Sequence, residues 1–356
     1  MPSHSLRDPA DTVCRTISLE LLAELGDRYA KLSDGKNSDG LHDFRVALRK
    51  LRSWVRAFEQ NLPDLPRKAR SRLRRIAQLS NGSRDLQVQV AWLRARKAEL
   101  SARQRHGLEW LIARLEDERR KEDARFEARL EKNMDRVRAA LEPALQRGSR
   151  PLADVPGPAQ RAPAPRDATA FGVVLSSVVR SQADRIRLRL EAVQTPADYR
   201  EAHRARIEAK RLRYVLEPVA DLVDADDALR RLKRLQDSLG ALQDCQTLSE
   251  AIAGALPAAT RARAKRLAKL ARDGELSDDA LRDEDRHNVE SGLLALAKRV
   301  HRRAQDAFSD VEHRCLGPNI DSLMSAIGSV TEQLDRSAPP VYGVPATAIP
   351  DDIAMR

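Results

Sequence analysis

Aromatic side chains are scarce in this chain, with Phe, Trp and Tyr together making up 3% of it. Proteins that grip single-stranded nucleic acid usually recruit aromatics to stack on bases. Here Trp54, Trp92, Trp110 and Tyr214 are scattered, mostly at core-like spacing. Cysteine is rarer still. Cys14, Cys245 and Cys315 are too few and too far apart for a disulfide framework or a metal-binding pair. Long apolar runs are missing, and the N-terminus carries Arg7, Asp8, Asp11 and Glu20. Neither a signal peptide nor a membrane span is therefore expected, which leaves the cytoplasm as the default. There is no GxxxxGK[ST] phosphate loop, and no helix-turn-helix or zinc-finger pattern. Glu284-x-x-His287 has the spacing used in di-iron bundles but lacks the second such pair they need. His301, His313 and Cys315 are not arranged like a zinc site. No metal and no cofactor is expected.

What remains is abundant charge on an apolar framework. Charged residues make up 33% of the 356 residues, apolar ones 42%, and the net charge is +11. A chain of this length has room for two ordinary domains, each with its own core. Ala, Leu, Arg and Glu dominate and no extended β-branched alternation occurs, so the composition reads as all-α. The basic balance favours a polyanionic partner or an acidic membrane surface without choosing among nucleic acid, phosphate polymer and lipid.

Residues 41–58, LHDFRVALRKLRSWVRAF, return in modified form at 202–219 as AHRARIEAKRLRYVLEPV. At helical periodicity Phe44, Ala47, Leu48, Leu51, Val55 and Phe58 form one apolar stripe. His42, Arg45, Arg49, Arg52 and Arg56 form a second stripe beside it. In the later copy His203, Arg206, Lys210 and Arg213 border Ala205, Ala209, Leu212, Leu216 and Val219. A helix charged only for solubility scatters its cations on the face away from the core. Cations that border the packing stripe can instead be gathered by a neighbouring helix into a groove, and this pattern reads as an anion site. The copies align without gaps 161 residues apart, too long a period for a solenoid and suited to a duplicated domain. Basic helices follow each copy. Arg72, Arg74, Arg75 and Asp85 fall opposite Arg231, Lys233, Arg234 and Asp244, with the offset reduced to 159 at Asp85. The two Asp residues read as helix caps or as anchors for a neighbouring Arg, the alternative being that they orient cationic ligands.

The His-x-x-Arg-x-x-x-(Arg/Lys)-x-x-Arg helix in each half resembles the mark of the CHAD domain family (conserved histidine α-helical domain), over residues of about 15–335. His42, Arg45, Arg49 and Arg52 match it in the first half, and His203, Arg206, Lys210 and Arg213 in the second. The resemblance implies two tandem pseudo-symmetric helical bundles, with long antiparallel helices, around a central basic cavity that binds inorganic polyphosphate. Arg56, Arg74 and Lys233 join the matched residues as the candidate binding set. The Glu-x-Glu-x-Lys strand of the triphosphate tunnel enzymes to which such domains are sometimes fused is missing, and nothing activates a water. Binding without catalysis is expected, at polyphosphate granules, with divalent cations able to bridge the polymer itself. The residues alone say only polyanion, so nucleic-acid binding or a scaffold that docks an acidic protein remain the alternatives. Histidines beside cations would titrate on binding, so affinity should rise as pH falls from about 8 to 6.

Along the chain, residues 1–12 read as a loose arm, 13–147 as the first bundle and 148–167 as a Pro-rich linker. Residues 168–336 form the second bundle and 337–356 a disordered tail. Asn81-Gly82-Ser83 is expected to break a helix. Residues 227–271 divide by their glycines and Pro257 into three helices, and 104–146 into one long helix or two in tandem.

Overall fold

A computed structural model describes residues 4–33, 40–147 and 169–337 of the chain. The expected linker at 148–167 lies outside the described residues, as does the expected tail except Ser337, which ends the last helix. Ten α-helices carry almost all of the described chain. They are α1 (Ala10–Ser33), α2 (Gly40–Ala57), α3 (Arg67–Arg94), α4 (Ala102–Gln146), α5 (Phe171–Glu191), α6 (Tyr199–Leu216), α7 (Asp226–Arg272), α8 (Asp278–Arg286), α9 (Val289–Cys315) and α10 (Pro318–Ser337). No β-strand occurs among the described residues, and the fold is all-α.

The repeated helices form where the apolar stripes require. On α2, Phe44, Ala47, Leu48, Leu51, Trp54 and Val55 are buried, and on α6 so are Ala205, Ala209, Leu212, Val215 and Leu216. The two helices pack against each other. Trp54 anchors α2 to α1 and α5: its indole N–H donates to the Cys14 carbonyl at 3.1 Å, and its ring lies 4.4 Å from Phe58 and 6.3 Å from Phe171. One such apolar face removed from water is worth about 1.5–3 kcal/mol per large side chain.

The interior falls into two apolar clusters. The larger joins α1, α2, α5, α6 and α10 to one end of the long helices, and the smaller lies between the other ends of α3, α4, α7 and α9. Along α3 the first cluster stops at Ala77 and the second begins at Val90. Along α7 the change falls between Leu242 and Cys245, and along α9 between Val300 and Phe308. The long helices thus share one level at which apolar packing is interrupted, and α2 and α6 present their cations there.

Three expectations change. Asn81-Gly82-Ser83 does not break α3, and residues 227–271 all fall in one 47-residue helix, Asp226–Arg272, which runs through Gly240, Gly254 and Pro257. A glycine inside a helix costs only about 1 kcal/mol, less than the packing of α3 on α4 and of α7 on α9 returns. Both glycines also admit neighbours: a Cβ on Gly82 would stand 3.2 Å from Glu122, and one on Gly240 3.5 Å from the Arg206 guanidinium. Residues 102–146 are a single helix. The arm before α1 is pinned rather than loose. Leu6 is buried, and its carbonyl and that of Asp8 accept from the N–H groups of Gly172 and Phe171, each at 2.8 Å. Those first-turn N–H groups of α5 have no partner within their own helix, so the arm supplies one.

The tightest crossing joins α4 to α9. A methyl built on Gly107 would lie 2.5 Å from the Val289 carbonyl oxygen and 2.6 Å from Gly292 Cα. Gly292 is equally hemmed in, with the Gln104 carbonyl oxygen at 2.4 Å from its own added Cβ. Both obstacles are backbone, which a rotamer change cannot move. Gly107→Ala is therefore expected to destabilise the fold by roughly 1–3 kcal/mol, read as a lower urea midpoint. An unchanged midpoint would mean that the helices can separate there at no cost.

Candidate functional site

At the level where the apolar clusters part lies a cavity of about 360 Å³. From α2 come His42, Arg45 and Arg49, and from α6 come His203, Arg206 and Lys210. Arg84, Asp85, Val88 and Gln89 on α3 face it, as do Gln243, Asp244, Thr247 and Leu248 on α7. These fourteen residues are seven pairs, 161 residues apart on α2 and α6 and 159 apart on α3 and α7. Trp92, Cys245, Val300 and Arg303 complete the wall outside that pairing.

The duplicated cations are held for different tasks. Arg45 is buried, and its guanidinium donates to the Ser80 carbonyl at 2.7 Å and to Asn81 Oδ1 at 3.1 Å. Burial, and then the charge of Arg49, push it down to about 10. Arg206 reaches the Gln236 carbonyl at 3.4 Å, and burial lowers it against the pull of Asp244. These two arginines tie α2 to α3 and α6 to α7. Arg49 and Lys210 project at the next turn. Lys210 is pushed down to about 7, first by burial and then by Arg206, Arg49, Arg213 and Arg45. Among the described residues none of the six cavity cations makes a direct ion pair with a carboxylate, although Asp85 and Asp244 share the wall. Cations crowded without counter-ions raise the cost of their own burial. An arriving anion would remove that cost.

His203 Nδ1 and the Gln89 amide oxygen are buried without a hydrogen-bond partner. Burial lowers the His203 imidazole, against a hydrogen bond it makes to Gln243, which raises it. Asp244 is raised by burial, against the pull of Arg206.

The other candidates from the sequence stand elsewhere. Arg52, Arg56 and Arg74 line a separate groove of about 540 Å³ with Arg67 and Arg70, where Arg70 pairs with Glu59. Burial lowers Arg52, with Arg211, Arg74, Arg56 and Arg49 adding to it, so the α2 stripe runs electrostatically unbroken from the cavity to this groove. Arg213 pairs with Glu217 at 2.9 Å and donates to Gln236 Oε1 at 2.9 Å, which makes it a bracket between α6 and α7. Lys233 is exposed on α7, outside the cavity lining. Arg84, Gln89, Trp92 and Arg303 were not legible as site residues. Arg84 stands beside the duplicated Asp, which could have drawn attention to it. Arg303 belongs to α9, which the repeated motif does not reach.

Among the described residues no three His, Cys, Asp or Glu side chains are grouped to hold an ion. Glu284 bonds Arg266 at 2.9 Å and His287 faces Asp283. No helix among the described residues is long and apolar enough to cross a membrane.

The family model of the CHAD domain matches residues 17–253. The crystal structure of the CHAD domain from the plant Ricinus communis is similar at 18% identity and a TM-score of 0.55, covering 92% of this chain and 94% of that one. At that identity the likeness is one of fold. No curated protein sequence matches the chain.

Proposed function

The chain belongs to the CHAD domain family, and from that premise we propose that it binds inorganic polyphosphate, without turning it over, in the cavity between α2, α6, α3 and α7. The observation that carries the reading is the meeting of His42, Arg45 and Arg49 with His203, Arg206 and Lys210 around one space, where the cations make no ion pair to a carboxylate of the described residues. Phosphate polymers need many donors at fixed positions and no nucleophile. Arginine adds a fork that can hold two oxygens of one phosphate. Matched cations on two sides accept such a polymer in either direction, because its repeating unit has no polarity to read.

Division of labour follows from the bonds already made. Arg45 and Arg206 hold the helices in register while presenting spare N–H groups. Arg49 and Lys210 supply charge at the open turn. His42 and His203 donate to phosphate oxygen at the cavity edge. The reading is one of binding, and association with polyphosphate granules in the cytoplasm would follow from it. Nucleic acid would use the same cations on its backbone, but the cavity offers a single aromatic, Trp92, over which Arg96 and Arg303 already lie at 4.3 and 5.8 Å.

Competition tests the reading. Labelled polyphosphate bound to the whole chain should resist single-stranded DNA of equal charge, while unlabelled polyphosphate displaces labelled DNA at far lower concentration. DNA winning that exchange, or free orthophosphate competing as well as the polymer, would overturn the assignment.

A further inference from the structure

Beyond the cavity, a second groove of about 940 Å³ opens between the C-terminal end of α3 and the N-terminal half of α9. Its cations are Arg96, Lys298, Arg299, Arg302 and Arg303, against the carboxylates Glu99, Glu290 and Asp306. Trp92 and Arg303 line both spaces, so the groove begins where the cavity ends. Helical spacing puts Lys298 and Arg302 one turn apart on the same strip of α9. Both are exposed, and among the described residues neither makes an ion pair. Arg299 instead binds Glu99, with its guanidinium donating to the Glu99 carbonyl and lying 3.7 Å from the carboxylate. Arg96 is laid over the Trp92 ring, which fixes a cation at the threshold. The α9 side of the groove lies beyond residues 17–253, which the family model matches, while Trp92, Arg96 and Glu99 on its other side fall within them.

From this continuity we infer that the α9 groove is an extension subsite, which takes the part of a polyphosphate chain that overruns the cavity and so makes affinity depend on chain length. The inference rests on the reading of the cavity as a polyphosphate site. A chain too short to pass Arg303 meets only the cavity. A longer one emerges beside Trp92 and gains Lys298 and Arg302, releasing further counter-ions as it does so. The groove suits a phosphate chain better than a nucleic-acid strand, because guanidinium groups already engage the one ring it offers.

The test uses the full chain carrying Lys298→Gln with Arg302→Gln, titrated with tripolyphosphate and with long-chain polyphosphate. Wild type is expected to bind the long chain more tightly. The double variant should melt like wild type, keep its tripolyphosphate affinity and lose most of the long-chain advantage. Its salt slope for the long chain should flatten by about 1.4, borrowing the single-strand value for two contacts. Equal long-chain affinity in the two proteins would overturn the subsite, as would an equal loss for both lengths. A larger loss for single-stranded DNA than for polyphosphate would hand the groove to nucleic acid and overturn it too. If wild type bound neither polyphosphate, the cavity assignment itself would fall, and with it the extension.

Discussion

Replacing Arg49 and Lys210 together by methionine is expected to weaken polyphosphate binding by roughly a hundredfold or more while raising the melting temperature. The binding loss follows from two charge-assisted contacts at about 1.5–3 kcal/mol each. The gain in stability has the same origin. Lys210 is held down by burial and by Arg206, Arg49, Arg213 and Arg45, so the folded chain bears a repulsion that the unfolded chain does not. Methionine keeps most of the side-chain volume and removes the charge. Opposite movements of affinity and stability are the signature of cations kept for a guest rather than for the fold. Arg45 and Arg206 are poor choices for this experiment, since their bonds to Ser80 and Gln236 tie helices together. Calorimetric titration beside thermal unfolding reads both quantities. Unchanged affinity would end the proposal, and a lower melting temperature would show that the pair supports the fold after all.

The second large effect is on pH. Affinity should rise roughly tenfold between pH 8 and pH 6 at constant ionic strength, because the cavity binds best with Lys210 charged and its free value is about 7. A bound polyanion raises that value again, so binding takes up a proton. Stability without ligand runs the other way. Lys210 is depressed in the folded state from an ordinary 10.5. Below about pH 7 it is charged in both states and the folded chain carries the whole penalty. Between about 7 and 10.5 the folded state releases its proton first, so this contribution to stability grows with pH. Lys210→Arg should remove most of the slope in binding, because arginine stays charged throughout. A slope that survived in that variant would return the titration to the histidines.

The sequence pattern anticipated the sign of this dependence but placed it on His42 and His203. Burial depresses His203 below its usual range, the opposite of what a histidine charged before the anion arrives would need. No pattern in a single sequence reveals which cation is surrounded by other cations, because Arg49 and Lys210 belong to different copies. What was legible was the periodicity. The stripe through Phe44, Leu48, Leu51 and Val55, and its echo in α6, required the two helices to bury adjacent faces, and the cations beside those stripes were carried to one place. The helix breaks at Gly82 and Gly240 were misread, because a glycine needed for close approach looks the same in sequence as one needed for a turn. Arg52 and Arg56 share the stripe's direction but lie one or two turns too far along α2 to reach the cavity, and Arg74 stands well before Arg84, the first cavity residue of α3. Lys233 and Arg213 show the remaining limit: spacing gives a face of a helix, but not what sits opposite it. Arg303 and the α9 groove lay outside the duplication altogether.

Both apolar clusters draw side chains from before residue 148 and from after residue 168. Their assembly is thus a single cooperative event, and calorimetric and van't Hoff enthalpies should agree, as they do for one two-state unit. Neither polypeptide segment could bury its own oily face if made alone. Proteolysis between 148 and 168 should accordingly yield two fragments that co-elute and still capture the polymer, joined by a common interior instead of a covalent bond.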